Sequence, residues 1–444
     1  MINSNKGNKM KKTKQWKQQR LYIKRNKKKI KRKLKKILSR EKLIIPKISK
    51  EKKRKKEKVL KVIIPKTFSL YENPDEALKK CMNFYKSDSP FIFDEVFFDF
   101  FKCEKIDLAS STLLSICSQI KAEEIKHNEK KIINISGCDP VSPKAKLMVN
   151  SVGIKKNFGF ALSKSVNDQN VDTFDLLKGG KSNVFLNVDE TLESSVASTR
   201  ITDFYRKILN KHSFDLNIEG RRIIQQLTNE VIDNCIQHAD PERKNYQWFV
   251  NAYHYLENEK LSSISIVIIN FGKTIAESIN DLLQKNTNDK NIKKLRRQIN
   301  LWSSKNQDKL TGKIDLNSLY TLYALQDGVS GKLSDLDPTR GRGTIKLIET
   351  FQNLGDSLDE SLNPQMCIIS GDSYIRFTKD YKIKIMSNCR KIIAFNKNNN
   401  LNILPDENNV FKLNNFFPGT IISMDFYFDE NYIISKKKEI KNEN

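Results

Sequence analysis

The stretch Glu230-Val231-Ile232-Asp233-Asn234-Cys235-Ile236-Gln237-His238 decides how the C-terminal part of this chain reads. Glu230, Asn234 and His238 recur at every fourth residue. At about 3.6 residues per turn that spacing puts all three on one helical face. Ile224, Leu227, Val231 and Cys235 form a neighbouring apolar stripe suited to a core. The helix is expected over Arg221 to His238 and stops at Asp240-Pro241, where proline ends it. A carboxylate, a carboxamide and an imidazole on one stripe can serve a water, a metal ion and a phosphate together.

Downstream of this helix, Gln247 to Tyr255 and Ser263 to Asn270 have the alternation and β-branching of half-buried strands. The second strand ends in Asn270-Phe271-Gly272-Lys273-Thr274, a polar residue and then a glycine, which lets a ligand ring come close to the backbone. Arg340-Gly341-Arg342-Gly343-Thr344 opens a helix expected over Ile345 to Leu354. Backbone N–H groups at such a start, with the helix dipole, favour an anion, and Arg340 and Arg342 add positive charge. Phe417-Pro418-Gly419-Thr420 then leads into a strand over Ile421 to Phe428.

Upstream, residues 67–165 read as a small α/β unit. Phe91-Ile92-Phe93, Val96-Phe97-Phe98 and Lys131 to Ser136 are strand-like runs. Helices are expected from about Thr112 to Lys121 and Lys144 to Ser151, with Gly153 able to cap the second. Strand, helix, strand, helix implies a parallel sheet with right-handed crossovers. Residues 166–215 connect this unit to a domain over 216–430; within the connection Val184 to Val188 reads as a strand and Ile201 to Leu209 as the start of a helix. A polar tail covers 431–444.

Charge separates the N-terminal end from the rest. Residues 1–66 hold 29 Lys or Arg against 3 acids, a net of +26, and the remaining 51 cations face 49 acids, a net of +2. Repulsion among like charges disfavours a lone compact state, so this segment reads as a partly disordered or helical tail. Its chemistry suits phosphate contact with nucleic acid, while only Trp16 and Tyr22 are available for base stacking. The seven cysteines are scattered, with no CxxC pair, which argues against a disulfide framework or a zinc site and for a reducing cytoplasm. No apolar run of about 18 residues predicts a membrane span, and no secretory signal is expected.

The order of these motifs resembles the GHKL ATPases, the family of histidine-kinase catalytic domains, anti-sigma-factor kinases, type II topoisomerase ATPase domains and Hsp90. The resemblance covers roughly residues 215–430. It implies an α+β two-layer sandwich that binds ATP and Mg²⁺. Glu230 takes the place of the family's general base, and Asn234 that of the magnesium ligand. His238 closes the same box. Asn270, Gly272 and Thr274 align with the adenine box, although the family has Asp and Gly where this chain has Asn270 and Thr274. Arg340, Gly341, Arg342, Gly343 and Thr344 align with the phosphate box, and Gly419-Thr420 with the pair before the last strand. The segment from Ala276 to Thr339, with the polar run Lys285 to Lys309 and a helix from Leu316 to Leu325, corresponds in position to the family's ATP lid.

The unit over 67–165 is similar to the STAS domain of anti-sigma-factor antagonists, through Asp107-Leu108-Ala109-Ser110-Ser111 and Val152-Gly153-Ile154. That likeness implies partner binding, with Ser110 or Ser111 as phosphoacceptor; helix capping is the structural role open to both serines.

Together the resemblances imply a bacterial ATP-binding regulatory protein, with slow Mg-dependent hydrolysis or serine phosphotransfer and a protein partner. The oligomeric state is open, a dimer included. A two-component histidine kinase is disfavoured because His212 does not sit in an obvious heptad helix. A topoisomerase lacks room for a transducer domain after residue 430. The alternative is a non-catalytic nucleotide-fold scaffold tethered to nucleic acid by the basic tail.

Overall fold

The last part of the segment read as a basic tail is a strand. The structure, a computed structural model, describes residues 58–86, 92–158, 170–181, 194–212, 214–215, 218–237, 246–284, 288–329, 343–353, 362–387, 389–432 and 434. The chain divides into two units, Met1–Lys56 and Glu57–Asn444. The expected boundary at 66 therefore moves earlier. The reason is β1 (Val59–Ile63), four hydrophobic residues around Lys61 that pair in parallel with β3.

After β1 come β2 (Thr67–Phe68), α1 (Pro74–Lys86), β3 (Glu95–Asp99), β4 (Lys105–Ile106), α2 (Leu108–Glu129), β5 (Asn134–Cys138), α3 (Pro143–Ser151) and α4 (Ile154–Asn157). β1, β3 and β5 form a parallel sheet in that order, as the strand–helix alternation implies. α2 starts at Asp107, whose Oδ1 accepts from Ser110 N at 2.7 Å. It ends at Lys130 in the left-handed conformation, φ 51°. The helix is longer than expected at both ends; its earlier start follows because Asp107 rather than Ser110 or Ser111 supplies the cap.

The connecting region then contributes two strands, β6 (Val171–Thr173) and β7 (Leu177–Lys181), and the helix α5 (Ser194–Lys211). α6 (Ile218–Gln237), β8 (Tyr246–Asn258) and β9 (Leu261–Phe271) follow. Next are α7 (Ile275–Gln284), α8 (Lys290–Asn306), α9 (Leu316–Ala324) and α10 (Gly343–Asn353). The chain continues through β10 (Gln365–Phe377), the short pair β11 (Lys384–Ile385) and β12 (Lys391–Ile392), and β13 (Val410–Asp429). The main sheet has the order β10-β13-β9-β8-β6, with β7 also on β8, and all its pairings are antiparallel. Residues 166–215 are thus not simply a connection, since β6 and β7 extend the main sheet. The strand expected over Val184 to Val188 lies outside the described residues.

The main sheet is buried on both faces, which corrects the expectation of half-buried strands. Along β9, Ile264, Ile266 and Ile268 enter one core, and Val267, Ile269 and Phe271 enter the other. The first core is closed by α5 to α10, with α6 over β8 and α7 and α9 over β10. The second is closed by α1 and α2, which pack on β13, β9 and β8. Phe84 of α1 meets Phe98 of β3 edge-on at 5.6 Å between ring centroids, so the parallel sheet lies behind these helices. The molecule is therefore a layered α/β structure: helices, antiparallel sheet, helices, parallel sheet. Strands covered on both sides lose the polar-out alternation and become nearly continuous apolar runs, as Ile264 to Phe271 is. Each fully buried Ile or Phe contributes roughly 1.5–3 kcal/mol of hydrophobic stabilisation.

The segment expected as a polar lid is mostly core. α8 buries Ile292, Leu295, Ile299 and Trp302, and α9 buries Leu319, Leu322 and Tyr323. In α8 the apolar residues fall three and four apart among lysines and arginines, so the periodicity of an amphipathic helix is masked by its polar composition. Residues 285–287 and 330–339 of that segment lie outside the described residues.

Candidate functional site

The end of β9 carries a row of polar side chains across the sheet. Asn270 is directly opposite Trp248 of β8 and Thr420 of β13, and Thr420 is opposite Ser370 of β10. Strand alternation fixes their face. Asn270 follows Ile268 by two residues, Thr420 precedes Ile422 by two and Ser370 follows Ile368 by two, and all three apolar residues belong to the core under α5 to α10. The row therefore lies on the same face of the sheet as α6, the helix of Glu230 and Asn234.

Within the row, Ser370 Oγ is 2.9 Å from Thr420 Oγ1, donates to Gly419 O at 3.3 Å, and accepts from Ile275 N at 2.8 Å. Asn270 is only 4% exposed. Its side chain makes no hydrogen bond among the described residues. The indole Nε1 of Trp248 is likewise buried without a partner there. A buried polar group without a partner costs stability, so Trp248 Nε1 sets a polar atom in need of a partner beside Asn270.

Gly419 fixes the backbone around Asn270. Its φ is +149°, and a Cβ there would run into the Asn270 carbonyl oxygen, so no other residue fits. Gly419 and Thr420 were expected before the last strand. They lie inside it, because β13 begins at Val410 and continues past a register shift opposite Gly371. Gly272 N donates to Pro418 O at 3.1 Å, which holds the turn after β9 against β13.

Thr274 has a local reason for not being glycine. Its Oγ1 accepts from Glu277 N at 3.1 Å, while Glu277 Oε2 accepts from Thr274 N at 2.8 Å. This reciprocal pair is a capping box that starts α7. Thr274 is 2% exposed and its side chain serves the helix start, whereas the sequence reading gave it to the ligand. With Ile275 N on Ser370, the amides of Thr274, Ile275 and Glu277 all have intramolecular partners.

α6 buries Thr228, Val231 and Ile232 and packs against α5 and α10. The expected core stripe thus holds at Val231, and Ile224 packs against the same core from a partly buried position. Asn234 is exposed on this helix, away from the buried stripe. Asn229 Oδ1, one residue before Glu230, is buried without a partner among the described residues. The side chain of Glu230, and all of His238, Arg340, Gly341 and Arg342, lie outside the described residues. Gly343 and Thr344 open α10, and α10 packs against α6.

Sequence reasoning missed Trp248, Ser370 and Asn229. Trp248 and Ser370 are recognisable only once register sets them beside Asn270 and Thr420. Asn229 had a signal, being a carboxamide next to Glu230.

Ser110 and Ser111 do not cap α2, and neither is presented to solvent. Ser110 is 0% exposed with an unpartnered Oγ. Ser111 is 4% exposed and its Oγ donates to Val152 O at 3.5 Å. A Cβ on Gly153, φ +89°, would run into the Ser111 hydroxyl. The two short motifs Asp107–Ser111 and Val152–Ile154 thus pack on each other. Among the described residues no helix is long and apolar enough to cross a membrane. No protein-family model, curated protein or solved structure matches the chain.

Proposed function

We propose that this chain is an ATP-binding regulatory protein whose nucleotide site lies between the polar row at the end of β9 and α6. The observation that carries this reading is Asn270: a carboxamide 4% exposed, without a side-chain hydrogen bond among the described residues, held against Gly419, where a Cβ would run into the Asn270 carbonyl. Its acceptor oxygen suits the exocyclic amino group of adenine. Thr420 beside it offers a hydroxyl for the same ligand.

Among the described residues no three His, Cys, Asp or Glu side chains gather as a metal site. Magnesium would be held instead by Asn234, an exposed carboxamide on α6, together with the phosphates. When bound, that ion supplies charge neutralisation for phosphoryl transfer. Glu230, one turn earlier on α6, orients and deprotonates the attacking water or hydroxyl. Gly343 and Thr344 present the start of α10 to the phosphates, and Arg340, Gly341, Arg342 and His238 complete the set. The unit carrying α1 and α2 serves a protein partner. The burial of Ser110 and Ser111 favours hydrolysis, or transfer to another chain, over transfer to these two serines.

A second reading is favoured by Thr274. Its capping box and the Ser370 bond occupy the amides at the start of α7, which leaves that turn fewer donors for a ligand than a glycine turn has. In this reading the domain is a non-catalytic scaffold. Calorimetry with ATP, with and without Mg²⁺, separates the two. Binding that Asn270→Ala weakens about tenfold or more, and that Asn234→Ala makes magnesium-independent, supports the first. No heat at millimolar ATP sinks it. Binding retained with turnover unaffected by Glu230→Ala removes catalysis alone.

A further inference from the structure

We propose that the outward face of α8 binds the phosphate backbone of nucleic acid. This helix carries six cations, Lys290, Lys293, Lys294, Arg296, Arg297 and Lys305, and no carboxylate. Its apolar side, Ile292, Leu295, Ile299 and Trp302, is spent in the core, which turns the basic side outward. Lys290, Lys293, Lys294, Arg297 and Lys305 are all exposed. None of these five ion-pairs with a carboxylate among the described residues.

Two other helices of the same unit pair cations with carboxylates. On α2, Lys121 pairs with Glu124 and Lys126 with Glu123. On α5, Arg206 pairs with Asp215, and Lys207 and Lys211 with Asp172. In a region of nearly balanced charge, α8 thus carries five exposed cations without a carboxylate partner among the described residues. Stability does not explain the concentration. Lys290 meets Lys293 and Lys294 at three- and four-residue spacing, Lys293 meets Arg297, and Lys294 meets Arg297, all like-charge contacts. Lys290 and Lys293 also sit in the first turn, at the positive end of the helix dipole, beside the capping Asp289. Such an arrangement is stabilised when a polyanion lies along it.

The face selects nucleic acid over a lipid surface. An in-plane membrane helix sinks its apolar side among acyl chains, and that side of α8 is already covered by protein. Only Leu301 is an exposed large hydrophobic residue on the helix. The face carries no exposed aromatic to stack on bases, so contact is with phosphates and not with sequence.

The test uses the full chain and a duplex of roughly 20 base pairs, followed by anisotropy from about 50 to 200 mM salt. The triple variant Lys293→Gln/Lys294→Gln/Arg297→Gln should bind more weakly, with the slope of log affinity against log salt flatter by about 2–3. The basic N-terminal segment is unchanged in this variant, so the slope difference reports α8 alone. In the unsubstituted chain the duplex should protect Lys290 and Lys294 from acylation. The variant should melt no lower than the parent, since it removes like-charge contacts. An unchanged slope with no protection overturns the proposal. So does protection of Lys290 and Lys294 by phosphatidylserine vesicles but not by the duplex.

Discussion

Asp425 shows how one residue reports the layering. It lies on β13 opposite Ser265 of β9 and Gln365 of β10. It shares parity with Ile421, so it faces the core closed by α1 and α2. Burial pushes its carboxyl up to about 7, and the Asp107 carboxylate adds to the rise, while a hydrogen bond with Ser265 opposes it. In the unfolded chain the same group ionises near about 3.9. Between those values the unfolded state gives up its proton and the folded state keeps it, so stability falls as pH rises, and the loss is complete above about 7. Asp425 is half-buried, which limits the penalty to about 2 kcal/mol. Asp425→Asn is therefore expected to stabilise the protein by about that amount near pH 8 and hardly at all near pH 4, as read by denaturant unfolding. Equal gains at both pH values would remove burial of the charge as the cause. The sequence offered no sign of this, because an Asp in a strand looks exposed until both faces of the sheet are known to be covered. Asn270 was legible for the opposite reason: a polar residue closing an apolar strand announces itself without any knowledge of register.

At the scale of elements, the start of α7 separates a structural residue from a ligand residue. Thr274 and Glu277 exchange hydrogen bonds between side chain and backbone, so Thr274→Ala is expected to cost about 1 kcal/mol of stability. Thermal unfolding measures that cost. ATP affinity, where the parent binds ATP, should stay within about twofold of the parent, and a tenfold loss would return Thr274 to the ligand. The Thr-x-x-Glu pattern of a capping box is present in the sequence at Thr274 and Glu277. α6, α9 and α10 were legible to within a few residues because their hydrophobic spacing is clear. α8 was not, because lysines and arginines crowd the positions between its first buried residues, Ile292, Leu295 and Ile299.

The whole molecule differs from its expected plan in what holds it together. A small α/β unit and a separate nucleotide domain joined by a connection would each own a core. Instead the antiparallel sheet is shared, and Phe249, Val267, Ile269, Phe271, Ile369, Phe417 and Ile421 belong to one core with α1, α2 and the strands behind them. Polar contacts stitch the same boundary: Arg376 Nη2 donates to Tyr71 O at 2.7 Å, Tyr374 Oη to Tyr71 O at 3.1 Å, and Asn251 Nδ2 to Thr112 Oγ1 at 3.0 Å. A chain begun at residue 166 would lay that face of the sheet open, an apolar patch well above the few hundred Å² that monomers tolerate. Such a fragment is expected to aggregate, and to be rescued when residues 57–165 are supplied in the same cell. The intact unit 57–444 should unfold in a single transition by calorimetry, because neither core survives loss of the sheet between them. A monodisperse, cooperatively folded fragment from 166 onward would show instead that α5 to α10 and the sheet suffice. The helices α1 and α2 would then be a docked partner of the sheet and not part of its core.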